Sequence, residues 1–308
     1  MTVIVVGNAT VDLSFRVDRL PAPGETLLAR ERVVDAGGKG LNQAVVARRA
    51  GATVLFRAPV GDDADAAVIR DRLAAEDMSD DDLVTRPGAT DQSILWVAED
   101  GENVIVSTAD RARGLTVGEA TAPVEHGRPG DIVLVQGNLA RAATAAVLTR
   151  ARERGLTTML NPAPIHFDYA GLWSLVDIAV VNAVEARALG GDEGGEPAGI
   201  EAAGRALRAA GAGSVVVTLG REGAWWTGPA GEGRVPAPSV EAVDTSGAGD
   251  VFCGVVAARL AAGLDLDEAV APAVAAAAVA VLRRGTSSAF PSAAEIAALF
   301  PAARRVAG

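Results

Sequence analysis

"DIVLVQGNLARAATAAVLTRARERGLTTML", residues 131–160, decides the fold. It opens on DIVLVQG (131–137), a short β-branched run apolar on both sides of the chain, as a strand covered on both faces must be. A helical pattern over 139–154 follows, and TTML (157–160) is a second strand. Strand, helix and strand within thirty residues read as a right-handed crossover unit with parallel strands. The same alternation extends in both directions. Strands are expected at VIVVG (3–7), TVLFRAPVG (53–61), IAVVN (178–182) and SVVVTLG (214–220), and helices at 39–50, 62–76, 183–189 and 197–211. The fold class is therefore α/β, a doubly wound, mostly parallel sheet flanked by helices, with ligands expected at the carboxyl ends of the strands. Residues 248–299 read as helices, and no strand signal follows 240.

Two segments break the alternation. VDLSFRVDRLPAPGETLLARERVV alternates Leu13, Phe15 and Val17 with polar residues, turns at PAPGE, then runs extended again. SILWVAEDGENVIVS is a hairpin pattern around Asp100 and Gly101. Together these lid segments, at about 10–35 and 91–108, predict a small four-stranded β-sheet standing off a single domain spanning 1–308. Such a sheet serves as a lid or a dimer surface; a loose surface hairpin is the plain alternative. GGDEGGEPAG (190–199) reads as an exposed loop.

Composition narrows the partners. The 308 residues carry a formal charge of −11, which disfavours nucleic acid and anionic membrane and leaves small molecules. The longest apolar run, 269–282, is too short for a membrane span and contains Pro272. The opening MTVIVVGNATVD lacks a basic segment followed by a long apolar stretch, so a cytoplasmic location is expected. Cys253 is the only cysteine, which excludes an internal disulfide and a cysteine zinc cluster and reads as a small buried apolar residue.

EAVDTSGAGDVFCGVVAARL (241–260) carries the chemistry. A helix starting near Ala248 leaves its first N–H groups without intrahelical partners, and Gly247 and Gly249 let an anion approach them. The helix dipole suits charge developing on a phosphoryl group. Asp250 beside it can take a proton from an attacking hydroxyl. Taken alone, GAGD is equally a glycine-rich helix start with an acidic first turn. DAGGKGLNQAVVARRAG (35–51) is a second glycine-rich helix start, followed by Asn42 and Gln43. Lys39 within it is the only lysine; every other one of the 28 Lys and Arg residues is arginine, which favours a site needing a compact ammonium. Neither a Walker A loop nor the GxGxxG of dinucleotide folds is present.

GGKGLNQA and VDTSGAGDVFCG, in this order, resemble the paired signatures of the ribokinase family, the phosphofructokinase-B-type carbohydrate kinases. The similarity extends through GNATVD, LPAPGETL, LNPAP, VVNAVEA, VTLGREGAWW and RRGT. It implies ATP-dependent phosphorylation of a sugar hydroxyl, with D-ribose giving ribose 5-phosphate as the leading reading. Another sugar, a nucleoside or a sugar phosphate, for which Arg16, Arg30 and Arg32 stand by, and a non-catalytic sensor are the alternatives. In that resemblance Asp250 is the base and Gly247, Ala248 and Gly249 the anion hole. Asp12, Gly38, Lys39 and Asn42 hold the sugar. Thr10 replaces the family's usual asparagine, and Asn138 the expected glutamate. Asn182 and Glu185 match N-x-x-E, associated with Mg2+ and phosphate, and Thr218, Gly220 and Gly223 match the turn under the nucleotide. Asp244 with the backbone of Ser246, Ala280, Arg283 and Gly285 matches a K+ loop system in which Ala289 replaces an expected serine. Val274 and the alanines of 275–278 read either as adenine pocket or helix core. A homodimer through the β lid is expected.

Overall fold

The structure, a computed structural model, describes residues 1–99, 102–191 and 197–300. The expected hairpin turn at Asp100 and Gly101, and 192–196 of the expected loop, lie outside the described residues. Among the described residues the strands are β1 Thr2–Val6, β2 Thr10–Val17, β3 Glu31–Gly37, β4 Thr53–Val60, β5 Leu83–Thr85, β6 Gln92–Ala98, β7 Asn103–Ser107, β8 Ile132–Gln136, β9 Thr157–Asn161, β10 Ile178–Asn182, β11 Ser214–Thr218, β12 Ala224–Gly228 and β13 Gly231–Val235. The helices are α1 Lys39–Arg49, α2 Ala64–Ala75, α3 Asp110–Gly114, α4 Val117–Thr121, α5 Arg141–Glu153, α6 Ala183–Gly190, α7 Pro197–Ala209, α8 Ala248–Ala261, α9 Leu266–Ala280 and α10 Ala293–Leu299.

Nine strands form one sheet in the order β13-β12-β11-β10-β9-β8-β1-β4-β5. From β5 to β11 neighbouring strands pair in parallel. Alternating side chains explain the apolar runs. Val3 and Val5 of β1 join a core with α1, α2, α8 and α9, while Ile4 and Val6 join a second core with α5 and α7. Both faces are therefore dry, as a parallel sheet requires. The chain runs outward from β1 in both directions, so a crevice opens beyond the carboxyl ends of β1 and β8.

The four lid strands form a separate sheet, order β3-β2-β6-β7. Its register puts Asp12, Ser14 and Arg16 on one face, with Asp35, Val33 and Glu31 opposite them on β3. Leu13, Phe15, Ile94, Trp96, Val34, Val104 and Val106 share the other face.

Two features escape the strand–helix pattern. The antiparallel pair β12 and β13 extends the sheet, although GEGRV carries too little β-branched character to signal a strand. The hairpin is held instead by Trp225, which is 2% exposed in the core. β5 is a three-residue edge strand, too short for a periodic signal. Pro272 lies inside α9, which continues through it. Val274 and Ala276 are buried in that core, and Cys253 is buried as expected.

Candidate active site

Asp250 stands in the first turn of α8 and is 4% exposed. Three side chains from α1 converge on it. Asn42 Nδ2 donates to Oδ2 at 3.0 Å, Gln43 Nε2 donates to Oδ1 at 2.9 Å, and Lys39 Nζ lies 4.0 Å from Oδ1. The lysine side chain is 38% exposed, and the Asp250 charge raises its pKa above the ordinary lysine value, so it remains an ammonium. The charge of Glu185 acts in the same sense. The two helices cross closely here because residue 254 is glycine: a Cβ there would stand 2.7 Å from Val46 Cβ and 2.8 Å from the Gln43 carbonyl.

Gly247 caps α8 in the left-handed region, φ 74°. A side chain there would also meet the Phe290 ring at 2.6 Å, so glycine is doubly required. Among the described residues the N–H groups of Gly247, Gly249 and Asp250 have no acceptor. The Ala248 N–H departs from expectation: it reaches back to the Thr245 carbonyl at 3.3 Å. The amides left open at this helix start are thus those of Gly247, Gly249 and Asp250, with Ala248 committed to the turn. Gly249 is exposed, and a Cβ on it would meet no described atom within 4 Å. Packing does not demand that glycine.

Asp12 lies on the lid strand facing the main domain. Burial pushes its carboxyl up to about 6, while a hydrogen bond from the Thr10 hydroxyl at 2.9 Å opposes the shift and the charges of Asp35 and Asp250 add to it. Thr10 is 2% exposed, so its hydroxyl is occupied by Asp12. Gly37 makes room for that carboxylate, since a Cβ there would stand 2.0 Å from Asp12 Oδ2. Gly38, φ 93°, turns the chain into α1. Asn138, just beyond β8, has a buried Oδ1 with no partner among the described residues.

A cleft of about 800 Å³ lies between the lid and the loops at 242–246 and 284–288, with Asp12, Asp35 and Ser246 on its walls. Asp250 does not line it. The cleft reaches the start of α8 through Thr245 and Ser246, which lead directly into the open amides.

Asn182 and Glu185 form a reciprocal helix cap: Glu185 N–H donates to Asn182 Oδ1 at 2.8 Å and Asn182 N–H donates to Glu185 Oε2 at 2.9 Å. Thr218 pairs in register beside Asn182, and its hydroxyl donates to the Val181 carbonyl at 3.4 Å. Gly220 and Gly223 both have positive φ, 58° and 93°, in the turn that leaves β11. Asp244 joins two loops, accepting from Ser246 N–H at 2.9 Å and Gly285 N–H at 3.0 Å. Val243 and Asp244 N–H groups donate to the Val281 carbonyl, next to Ala280. Arg283 turns its side chain to Glu295, so only its backbone oxygen remains for this region. Among the described residues no cluster of three His, Cys, Asp or Glu side chains suits a metal.

The residues that sequence reasoning missed are Gln136, Asn161 and the role of Gln43. Gln136 Nε2 donates to Gln43 Oε1 at 2.9 Å, and Gln43 Nε2 also donates to Asn161 Oδ1 at 3.1 Å. Only the position of Gln43, one turn from Lys39, pointed toward the site.

A parallel α/β sheet with a β lid, a buried carboxylate and open helix-start amides define a phosphotransferase acting on a small hydroxylated substrate. The chain belongs to the pfkB family carbohydrate kinases, whose sequence pattern matches residues 2–293. It is 33% identical to the ribokinase of Mus musculus, over 94% of this chain and 91% of that protein. It is 31% identical to the deoxyribokinase of Salmonella typhi, over 95% and 96%. The crystal structure of ribokinase from Thermotoga maritima superposes with a TM-score of 0.86 at 29% identity, covering 97% of this chain and 98% of that one. The protein is a carbohydrate kinase, a phosphotransferase with an alcohol acceptor. Among the described residues no helix is long and apolar enough to cross a membrane.

Proposed function

We propose that this kinase transfers the γ-phosphoryl group of ATP to the 5-hydroxyl of D-ribose. The observation that carries the proposal is the buried Asp250 carboxylate beside the open Gly247 and Gly249 amides. Asp250 removes the hydroxyl proton as the sugar oxygen bonds to phosphorus and the bond to the ADP oxygen breaks. The amides and Lys39 take up the negative charge that gathers on the phosphoryl oxygens. Asp12, Lys39, Asn42 and Asn138, with the backbone at Gly38, hold the sugar; the unpartnered Oδ1 atoms of Asn42 and Asn138 are acceptors suited to its hydroxyls. Arg16 pairs with Glu31, Arg30 pairs with Asp18 and Glu99, and Arg32 sits opposite Phe15 on the outer face of the lid, so a sugar phosphate is disfavoured as acceptor.

The nucleotide lies along Thr218, Gly220 and Gly223: a Cβ at Gly220 would meet no described atom within 4 Å, whereas Gly223, where one would stand 2.0 Å from the Val235 carbonyl, shapes the turn. Asn182 and Glu185 suit Mg2+ held through its waters, because the cap occupies only one Glu185 oxygen. Mg2+ there would neutralise charge on the phosphates. Asp244 and the carbonyls of Ser246, Ala280, Arg283 and Gly285 offer an all-oxygen set that fits K+, which would fix the loop leading into the anion hole. The apolar outer face of the lid, with Val104 42% and Val106 57% exposed, supports a homodimer. Sedimentation of Val106→Asp as a monomer beside a dimeric parent is the expected result.

The similarity to deoxyribokinase gives 2-deoxy-D-ribose as the second reading. An ADP-release screen with ribose, deoxyribose, hexoses and nucleosides, in K+ and in Na+ buffer, separates these. Ribose is expected to have the highest kcat/KM, and K+ the higher rates. Asp250→Asn should keep sugar binding and lose about a thousandfold in kcat; wild-type turnover in that variant would refute the proposal, and a sensor without chemistry would show none in either protein.

A further inference from the structure

We propose that Gln43 is a positioning residue for the catalytic base, a buried amide locked by Gln136 and Asn161 so that its N–H is aimed at Asp250. The inference rests on Asp250 being the base. Gln43 and Gln136 are both 0% exposed, so neither reaches the solvent-filled part of the site.

A carboxamide has a donor end and an acceptor end, and its surroundings decide which faces the carboxylate. Asn161 Nδ2 donates to the Val180 main-chain carbonyl at 3.0 Å, which leaves Asn161 Oδ1 as an acceptor. That oxygen and Asp250 Oδ1, at 3.1 and 2.9 Å, both face Gln43 Nε2 and use its two hydrogens. On the other side, Gln136 Nε2 supplies a donor to Gln43 Oε1. Turning Gln43 over would set oxygen against two acceptors and nitrogen against a donor. Gln136 fills the space that Gly7 leaves bare, where a Cβ would stand 2.0 Å from Gln136 Oε1, and that oxygen has no partner among the described residues, so the orientation of Gln43 is anchored on the Asn161 side. The relay therefore runs from the backbone of β10 and the side chains of β9 and β8, through α1, to the first turn of α8. The rigid sheet sets the angle of the carboxylate. Gln43 holds Oδ1 and Asn42 holds Oδ2, each leaving a second lone pair for the acceptor hydroxyl.

The other groups facing Asp250 are Lys39 of α1, Asp12 of the lid and Cys253 one turn along α8, with Glu185 further off. None of them duplicates the amide. Gln43→Met keeps the length and removes the donor. We expect kcat to fall 10- to 100-fold, the kinetic equivalent of a hydrogen bond to a charged group. The KM values for sugar and ATP should stay within about threefold, because Gln43 touches neither. Gln43→Glu keeps the acceptor for Gln136 and serves where the methionine variant folds poorly. Its carboxylate repels Asp250 at high pH, and once it shares a proton with Asp250 a donor is restored. The ratio of variant to wild-type kcat should thus rise as pH falls from 8.5 to 6. A kcat within twofold of wild type, a loss carried by KM, or a flat pH ratio would overturn the role of Gln43. Full turnover by Asp250→Asn, assayed alongside, would instead overturn the base on which it rests.

Discussion

α1 and α8 both begin after glycines in the left-handed region, Gly38 and Gly247, and neither has a side-chain cap from its own first residue. Their amides nevertheless meet different fates. At α1, Asn8 accepts from Gly40 N–H with its side chain at 3.1 Å and from Leu41 N–H with its carbonyl at 3.0 Å. At α8, two amides past the cap stay open. At the α1 terminus Asn8 takes up two amides and leaves that of Lys39 without an acceptor among the described residues, and the terminus presents the side chains of Lys39, Asn42 and Gln43; the α8 terminus presents mainly bare backbone. A glycine-rich helix start thus specifies close approach, and the neighbouring chain decides whether protein or ligand makes it.

The sharpest way to break this contrast is a methyl group at each start. Gly249→Ala adds a Cβ into open space within a helix, where alanine is favoured, so the melting temperature should hold. The methyl obstructs the open amides, and kcat should fall about 100-fold. An unchanged rate would show that no charge develops there.

A second comparison within the site concerns Asp12, whose burial is unfavourable to the fold. Its carboxyl is raised to about 6 from 3.8 in the unfolded chain, so the folded state binds that proton more tightly. The associated stability is present below the unfolded value and is lost as pH rises through about 6. Asp12→Asn should accordingly stabilise the protein at pH 7.5, by about 2 kcal/mol, while raising the sugar KM tenfold or more. In the wild type, the sugar KM should climb as pH falls from 7 to 5 and the acceptor is protonated. Calorimetric melting and initial rates across that range check both.

The smallest expected effect lies at the α1 helix start. Asn8→Ala removes the side-chain acceptor of Gly40 N–H but keeps the carbonyl that takes Leu41 N–H, and should cost about 1–2 kcal/mol of stability. Turnover per folded molecule should stay within threefold. A kinetic loss as large as that of Gly249→Ala would erase the distinction between the termini.

Much of this was legible in residue order. The Val-rich runs announced the central strands because both faces of each are buried, and alternation in β2 announced the lid. The hairpin of β12 and β13 was not legible, since Trp225 anchors it through the core rather than through strand propensity. Arg16 and Arg30 read as cations awaiting a phosphate, and only the folded lid shows them paired with Glu31, Asp18 and Glu99. Within the candidate site, GAGD alone read equally as a helix start with an acidic first turn, and it stood out only beside the second glycine-rich start with its single lysine.

By itself the sequence determined the parallel α/β architecture, the two glycine-rich helix starts and the acid between them, because periodicity and turn chemistry act over a few residues. Tertiary structure alone decided that Ala248 is committed to its turn and that Asn8 takes up the Gly40 and Leu41 amides of α1. It also placed Gln43 against Asp250 and Gln136, partners 207 and 93 residues away along the chain. A buried amide has no sequence signature of its own; its role exists only once folding has removed water and set acceptors at its donor end and a donor at its acceptor end.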